Sequence, residues 1–340
     1  MSRFLWTLPA LLSAFLTAPA GAPSDEQREV RGVTISCQGW GEEWSYPELE
    51  GELDDLQALG ANWIAIHPYA WIQNDGEVRI WPELDPEEPP EWISKPIAAA
   101  HARGMSILIK PHLGYWGSRF SWRGEIGFET DEETERFFHD YRAWLLTVAR
   151  LSRGADAFAV GTELELLIHH EERWRSLIAE VREVFPGHLT YAANWPDVEK
   201  VPFWDALDTV GVQGYYPLSD AAEPTDDELQ AGWDAVVKRL RAVHEATGKP
   251  VVLTELGYSR ALGAASEPWK PDVAAESDRE RAEALQRRCF ATAFRTLKRE
   301  RDWLRGAFLW KWFVGESRAR DFALKEPAIK AEVRGAWVDE

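Results

Sequence analysis

Eight short apolar runs, each followed by a helical segment or a turn-rich stretch, limit what this chain can fold into. The most telling run is Val251-Val252-Leu253-Thr254-Glu255-Leu256-Gly257-Tyr258, which ends in a carboxylate and a glycine. Runs that are apolar at consecutive positions fit strands buried on both faces, as in a parallel sheet covered by helices. Strands are expected over 31–37, 63–67, 105–110, 156–161, 189–193, 209–213, 250–254 and 306–310. Helices are expected over 47–59, 94–103, 131–151, 171–185, 226–247 and 274–301, with a short one near 203–207. Gly60, Gly104 and Gly248 stand where three of these helices should stop. Segment 68–92, rich in Pro, Asp, Glu and Trp, reads as a long loop of the kind that carries function. The pattern is that of an α/β protein, a single-domain (β/α)8 TIM barrel over 31–340. An open doubly wound sheet is the rival. Gln38-Gly39-Trp40-Gly41-Glu42-Glu43 after the first strand lacks the third glycine of a dinucleotide-binding turn, which argues against it.

The chain starts with a short basic segment, Met1 to Arg3, then an apolar stretch from Phe4 to Ala18 and small residues at Ala18-Pro19-Ala20. This is the pattern of a secretory signal peptide, assigned to 1–22 and followed by a polar linker over 23–30. A secreted or periplasmic location is expected, with no membrane contact unless that segment stays uncleaved as an anchor. The formal net charge of −19 argues against nucleic acid, because phosphate recognition needs a surplus of Lys and Arg on one face. A neutral or cationic partner is easier to accommodate. Cys37 and Cys289 are too few for a disulfide scaffold and are expected as free thiols.

A barrel of this kind places its site at the carboxyl ends of the strands. The expected strand ends offer Trp40, His67, Lys110 with His112, Glu163, Asn194 with Trp195, Tyr215, Glu255, and Trp310 with Trp312. Strands four and seven both close on Thr-Glu, at Thr162-Glu163 and Thr254-Glu255. Glu165, two residues beyond Glu163, is its rival for the same role. The 19 tryptophans exceed what core filling needs, and many fall in or beside these loops, where flat apolar rings suit the C–H faces of sugars. Two carboxyl groups roughly 5 Å apart, one ionised and one holding a proton, are what glycoside cleavage with retention requires. His169 and His170 at a helix start have no metal-site spacing, and no metal or cofactor is expected.

Gly161-Thr162-Glu163-Leu164, Val212-Gln213-Gly214-Tyr215-Tyr216-Pro217-Leu218, Leu253-Thr254-Glu255-Leu256-Gly257-Tyr258 and Phe308-Leu309-Trp310-Lys311-Trp312, in that order, resemble glycoside hydrolase family 113. The resemblance runs from about Arg31 to Phe313. It implies a retaining (β/α)8 hydrolase, best known as endo-β-1,4-mannanase, acting on a polysaccharide or oligosaccharide. Carried over, it makes Glu163 the general acid/base, Glu255 the nucleophile, Tyr215 the group that orients the nucleophile and Trp310 the floor of the cleavage subsite. Thr162 stands where most of the wider clan has the Asn that binds the sugar 2-hydroxyl. Trp40, Lys110, His112, Thr162, Asn194, Trp195, Tyr215, Trp310 and Trp312 are the expected substrate-binding residues. The Thr-Glu-Leu-Gly and Tyr-x-Pro-Leu patterns also look similar to barrel domains of phage-like tail proteins. Two alternatives therefore stay open: the same mechanism on another β-glycan such as a glucan, chitosan or cell-wall polymer, and a barrel that binds glycan without cleaving it.

Overall fold

The computed structural model describes residues 29–316, 321–322 and 324–339. The signal segment 1–22 and linker residues 23–28 lie outside the described residues. In chain order the strands are β1 (Val30–Ser36), β2 (Trp63–Ile66), β3 (Tyr69–Ile72), β4 (Val78–Ile80), β5 (Ser106–Ile109), β6 (His112–Gly114), β7 (Ala157–Thr162), β8 (His188–Asn194), β9 (Thr209–Gln213), β10 (Val251–Leu256) and β11 (Leu304–Phe313). The helices are α1 (Glu48–Ala58), α2 (Glu91–Ala102), α3 (Asp131–Leu151), α4 (Glu171–Val184), α5 (Asp226–Thr247), α6 (Arg279–Glu300) and α7 (Pro327–Arg334). Eight strands close a parallel barrel in the order β1-β11-β10-β9-β8-β7-β5-β2. The architecture is the expected (β/α)8 TIM barrel.

The helices form because each has a polar start and one apolar face. Thr130 and Glu133 make a capping box before α3, which buries Phe137, Tyr141, Trp144, Leu145 and Val148. The Tyr141 hydroxyl then donates to the Val160 carbonyl of β7 at 2.9 Å, pinning helix to strand. A second capping box, Thr225 with Glu228, opens α5, and Gly248 ends it in the left-handed conformation at φ 68°. Each fully buried Leu, Val or Phe on these faces contributes about 1.5–3 kcal/mol of transfer free energy. Ala65, Leu108 and Phe308 form a small apolar cluster separate from the main core.

Four boundaries differ from the sequence expectation. Segment 68–92 is not a plain loop: β3 pairs antiparallel with β4 and parallel with β6, giving a second sheet of order β4-β3-β6. This sheet continues the β2–β5 ladder past two prolines. Lys110 N–H donates to the Ile66 carbonyl and His112 N–H to the Pro68 carbonyl, each at 2.9 Å. Pro68 and Pro111 remove the donors that would have kept β3 and β6 inside the barrel sheet, so the same strands restart as a raised lip. Segment 203–207 holds only a 3-10 turn, Trp204–Ala206. The helix expected from 274 begins at Arg279, after a 3-10 turn over Glu276–Asp278. α7, beyond the last barrel strand, was not anticipated. Both cysteines are free thiols.

Candidate active site

Glu255 lies in β10 with 3% of its surface exposed. Three strands, β5, β6 and β9, bring up its neighbours. Lys110, directly after β5, places its ammonium on Oε1 and also donates to the Thr254 carbonyl at 3.1 Å. Tyr215, beyond β9, donates its hydroxyl to Oε2 at 2.6 Å. His112 Nε2 stands 3.7 Å from Oε1. Burial pushes the Glu255 carboxyl up, but the Lys110 ammonium and the Tyr215 hydroxyl outweigh it and hold the group below the usual carboxylate range. Burial drives Lys110 down against the pull of Glu255. Burial and the nearby Glu255 charge raise Tyr215, so its hydroxyl keeps the proton it donates. The result is an ionised, desolvated and doubly tethered carboxylate.

Glu163 follows β7 in a turn whose shape is set by several contacts. Its φ is 55°, in the left-handed region that non-glycine residues rarely occupy, and its N–H donates to the Ala192 carbonyl at 2.9 Å. The next N–H, of Leu164, bonds the Tyr191 hydroxyl at 2.9 Å. Gly161 is required beneath, because a Cβ there would come within 2.7 Å of the Tyr191 ring. The Glu163 carboxylate accepts two hydrogen bonds at Oε2 from Arg123, from Nε at 3.1 Å and Nη2 at 2.7 Å. Arg123 sits in a 3-10 turn between β6 and α3. The charge of Glu163 also acts on Lys110 and Tyr215, the two groups that hold Glu255. Glu165 faces elsewhere: it takes a hydrogen bond from the Asn194 amide and lies against Asp197. Burial, Asp197 and Glu163 raise it to about 7, with the Asn194 contact opposing.

Trp310 forms one wall, with Lys110 over its ring at 5.5 Å and His67 and His112 beside it at 5.5 and 6.4 Å. His67 and His112 stack on each other at 4.8 Å, and burial holds both well below the usual histidine range. Their ring nitrogens make no hydrogen bond within the protein. Trp195 is half-buried and stacks on Trp269 at 6.1 Å with Tyr216 at 5.5 Å. Trp40 meets Trp92 edge to face at 5.7 Å beyond β1. Three expected substrate contacts are otherwise engaged. The Thr162 hydroxyl is buried and donates to the Pro111 carbonyl at 3.1 Å. Trp312 is not at the site: it is 2% exposed and donates its indole N–H to Glu52 at 2.6 Å, with Lys325 and Lys330 over its ring. Asn194 is spent on Glu165 and on the Trp195 N–H, 2.9 Å away. Arg123 was missed by the sequence reading, since a lone arginine in an aperiodic loop carries no signal.

A cavity of about 760 Å³ opens elsewhere, at the amino-terminal end of the barrel, between Val30, Trp63, His188, Lys249 and Trp303. It includes neither glutamate. Among the described residues no group of three or more His, Cys, Asp or Glu could hold a metal ion, and no helix is long and apolar enough to cross a membrane.

A sequence profile described as Glycoside Hydrolase Family 113 matches residues 33–325. The chain belongs to glycoside hydrolase family 113. As a family 113 barrel it is a hydrolase of O-glycosidic bonds. Its fold is similar to that of the β-mannanase AaManA from Alicyclobacillus acidocaldarius, solved in complex with ManMIm: 27% identity, 91% of this chain and 97% of that one, TM-score 0.76. A second family 113 structure, a β-1,4-mannanase, is 22% identical over 92% of this chain and all of that one, with TM-score 0.78. The family 5 mannosidase of Rhizomucor miehei shares the fold at 12% identity over 92% of this chain and 93% of that one, with TM-score 0.59. No functionally curated protein matched the sequence.

Proposed function

We propose that this family 113 protein is a retaining endo-β-1,4-mannanase, with Glu255 as nucleophile and Glu163 as acid/base. The observation that carries the reading is the setting of Glu255. A buried carboxylate kept ionised by Lys110 and aligned by the Tyr215 hydroxyl is built to attack, and the charge of Glu163 reaches both of those groups. In the first displacement a Glu255 oxygen bonds the anomeric carbon while Glu163 gives its proton to the departing glycosidic oxygen. Trp310 lies beneath the sugar being cut. In the second, Glu163 takes a proton from water, which attacks the same carbon and releases Glu255. Arg123, with two hydrogen bonds to Oε2, fixes where the Glu163 carboxyl points in both steps. The likeness to AaManA, a β-mannanase 27% identical, supports mannan as substrate.

Purified protein should release reducing sugar from mannan, and Glu255→Gln should abolish the release. Glu163→Gln should lower it by about 10²- to 10⁴-fold, with azide restoring turnover of an aryl glycoside that has a good leaving group. Glu165→Gln should stay within about tenfold of the wild type, because its carboxyl is turned to Asn194 and Asp197. If Glu165→Gln shows the large loss and the azide rescue, the acid/base role belongs to Glu165. The reading includes export on residues 1–22, so protein recovered outside the cell should begin after Ala22.

A further inference from the structure

The short sheet that rises past β2 and β5 carries aromatic rings that hydrolysis itself does not need. Trp116 is 57% exposed, an unfavourable position for so large an apolar surface. It is nonetheless fixed in place. Its ring lies 5.5 Å from that of Tyr69, which lies 6.2 Å from Trp71. Gly114, at the end of β6, lets the two indoles close over the backbone: a Cβ there would stand 2.9 Å from Trp116 and 3.1 Å from Trp71. The rings are continuous with the active site. Tyr69 meets His67 at 5.3 Å and His112 at 5.8 Å, and both imidazoles meet Trp310.

A second observation along this path points to a hydroxylated ligand. His67 and His112 are 0% and 1% exposed, and neither makes a hydrogen bond within the protein through a ring nitrogen, the nearest approach being His112 Nε2 to Glu255 Oε1 at 3.7 Å. Buried polar atoms left unpaired in a folded protein call for a partner from outside the chain. Rings with open faces next to unpaired nitrogens match a sugar, which shows C–H groups on its faces and hydroxyls at its edge.

We infer that Tyr69, Trp71 and Trp116 form a distal subsite for the sugar rings of a neutral β-glycan, on the glycone side of the bond that is cut. The side follows from continuity: the wall joins Trp310, under the sugar attacked by Glu255, whereas the Trp195–Trp269 pair is tied through Asn194 to Glu165. This rests on the proposed glycosidase reading and extends it from one sugar to a chain. Gly114 and Pro111 are then part of the binding device, since they set the rings on a raised lip.

Calorimetric titration of the Glu255→Gln protein with β-1,4-linked manno-, gluco- and xylo-oligosaccharides from three to six units tests this. Affinity should rise with length for one series, and adding Trp116→Ala should cut the ratio of hexasaccharide to trisaccharide affinity by roughly three- to tenfold. Gly114→Ala, which displaces both indoles without removing either, should cut it likewise. In the active enzyme, Trp116→Ala should move hexasaccharide cleavage toward the non-reducing end. An unchanged ratio in Trp116→Ala overturns the subsite, as does a changed oligomeric mass with an unchanged ratio. A shift of cleavage toward the reducing end overturns the glycone assignment. Failure of every oligosaccharide to bind either protein overturns the glycosidase reading itself.

Discussion

Lys110 is the residue on which the state of Glu255 depends most directly. It is fully buried, and without it a carboxylate that is 3% exposed would lose its ammonium partner while keeping the Tyr215 hydroxyl. Lys110→Met should destabilise the fold by about 3–5 kcal/mol, the usual result of stranding one member of a buried ion pair. In the same variant Glu255 loses the charge that holds it low, so the acid limb of the kcat/KM profile should move to higher pH. An unmoved acid limb would mean that Lys110 does not set that ionisation. Glu255, Glu163 and Tyr215 were legible in the sequence because each ends an apolar run. Trp312 was misread for a reason of parity. Strict alternation would put it on the same face as Trp310, but Leu309 pairs with Val33 and Trp312 with Ile35, so three residues of β11 are set against two of β1. The extra residue turns Trp312 outward to Glu52. Arg123 could not have been found, since nothing local marks which of 57 acidic residues a loop arginine will meet.

At the level of elements, the barrel strands and most helices were legible because hydrophobic period and helix-stopping glycines agree. The lip formed by β3, β4 and β6 was not. Its strands are three or four residues long, and Pro68, Pro82 and Pro111 gave the surrounding sequence the look of a loop. The prolines instead set where the ladder leaves the barrel. α7 escaped notice because the recognised motifs end at β11. Its region packs on the outward face of that strand, where Lys325 bonds Glu52 at 2.7 Å and Lys330 lies over Trp312. Glu52, from α1, thus joins the first helix to the last barrel strand through the Trp312 indole and the Gly315 N–H at 2.9 Å. Trp312→Phe should cost about 1–3 kcal/mol in denaturant unfolding through the lost indole donor, with KM for mannan unaltered. A raised KM with undiminished stability would return Trp312 to the substrate site.

For the molecule as a whole, the catalytic end of the barrel carries an electrostatic cost that should appear in its pH stability. His67 and His112 have folded-state values well below those of the unfolded chain. As pH falls below about 6.5, the unfolded state binds those protons first and stability is lost. Glu165 acts in the other direction. The unfolded chain releases its proton near 4.5 while the folded group, facing Asp197, Glu163 and Asn194 with Lys200 on Asp197, keeps it to about 7. Its contribution to stability therefore declines as pH rises from about 4.5 to 7, and Glu165→Gln should remove that decline in thermal melts taken across this range. A melting curve for Glu165→Gln parallel to the wild type at every pH would contradict the assignment. These costs lie beside the two glutamates, at the opposite end of the barrel from the large cavity near Val30 and Trp303. The claim that joins them is that Glu255 bonds the sugar. Incubation with a 2-deoxy-2-fluoro-β-mannosyl fluoride, followed by mass spectrometry of the digested protein, tests it most directly. The expected result is one fluoromannosyl group on the peptide that contains Glu255; a label on any other residue, or fluoride turnover with none, would contradict it.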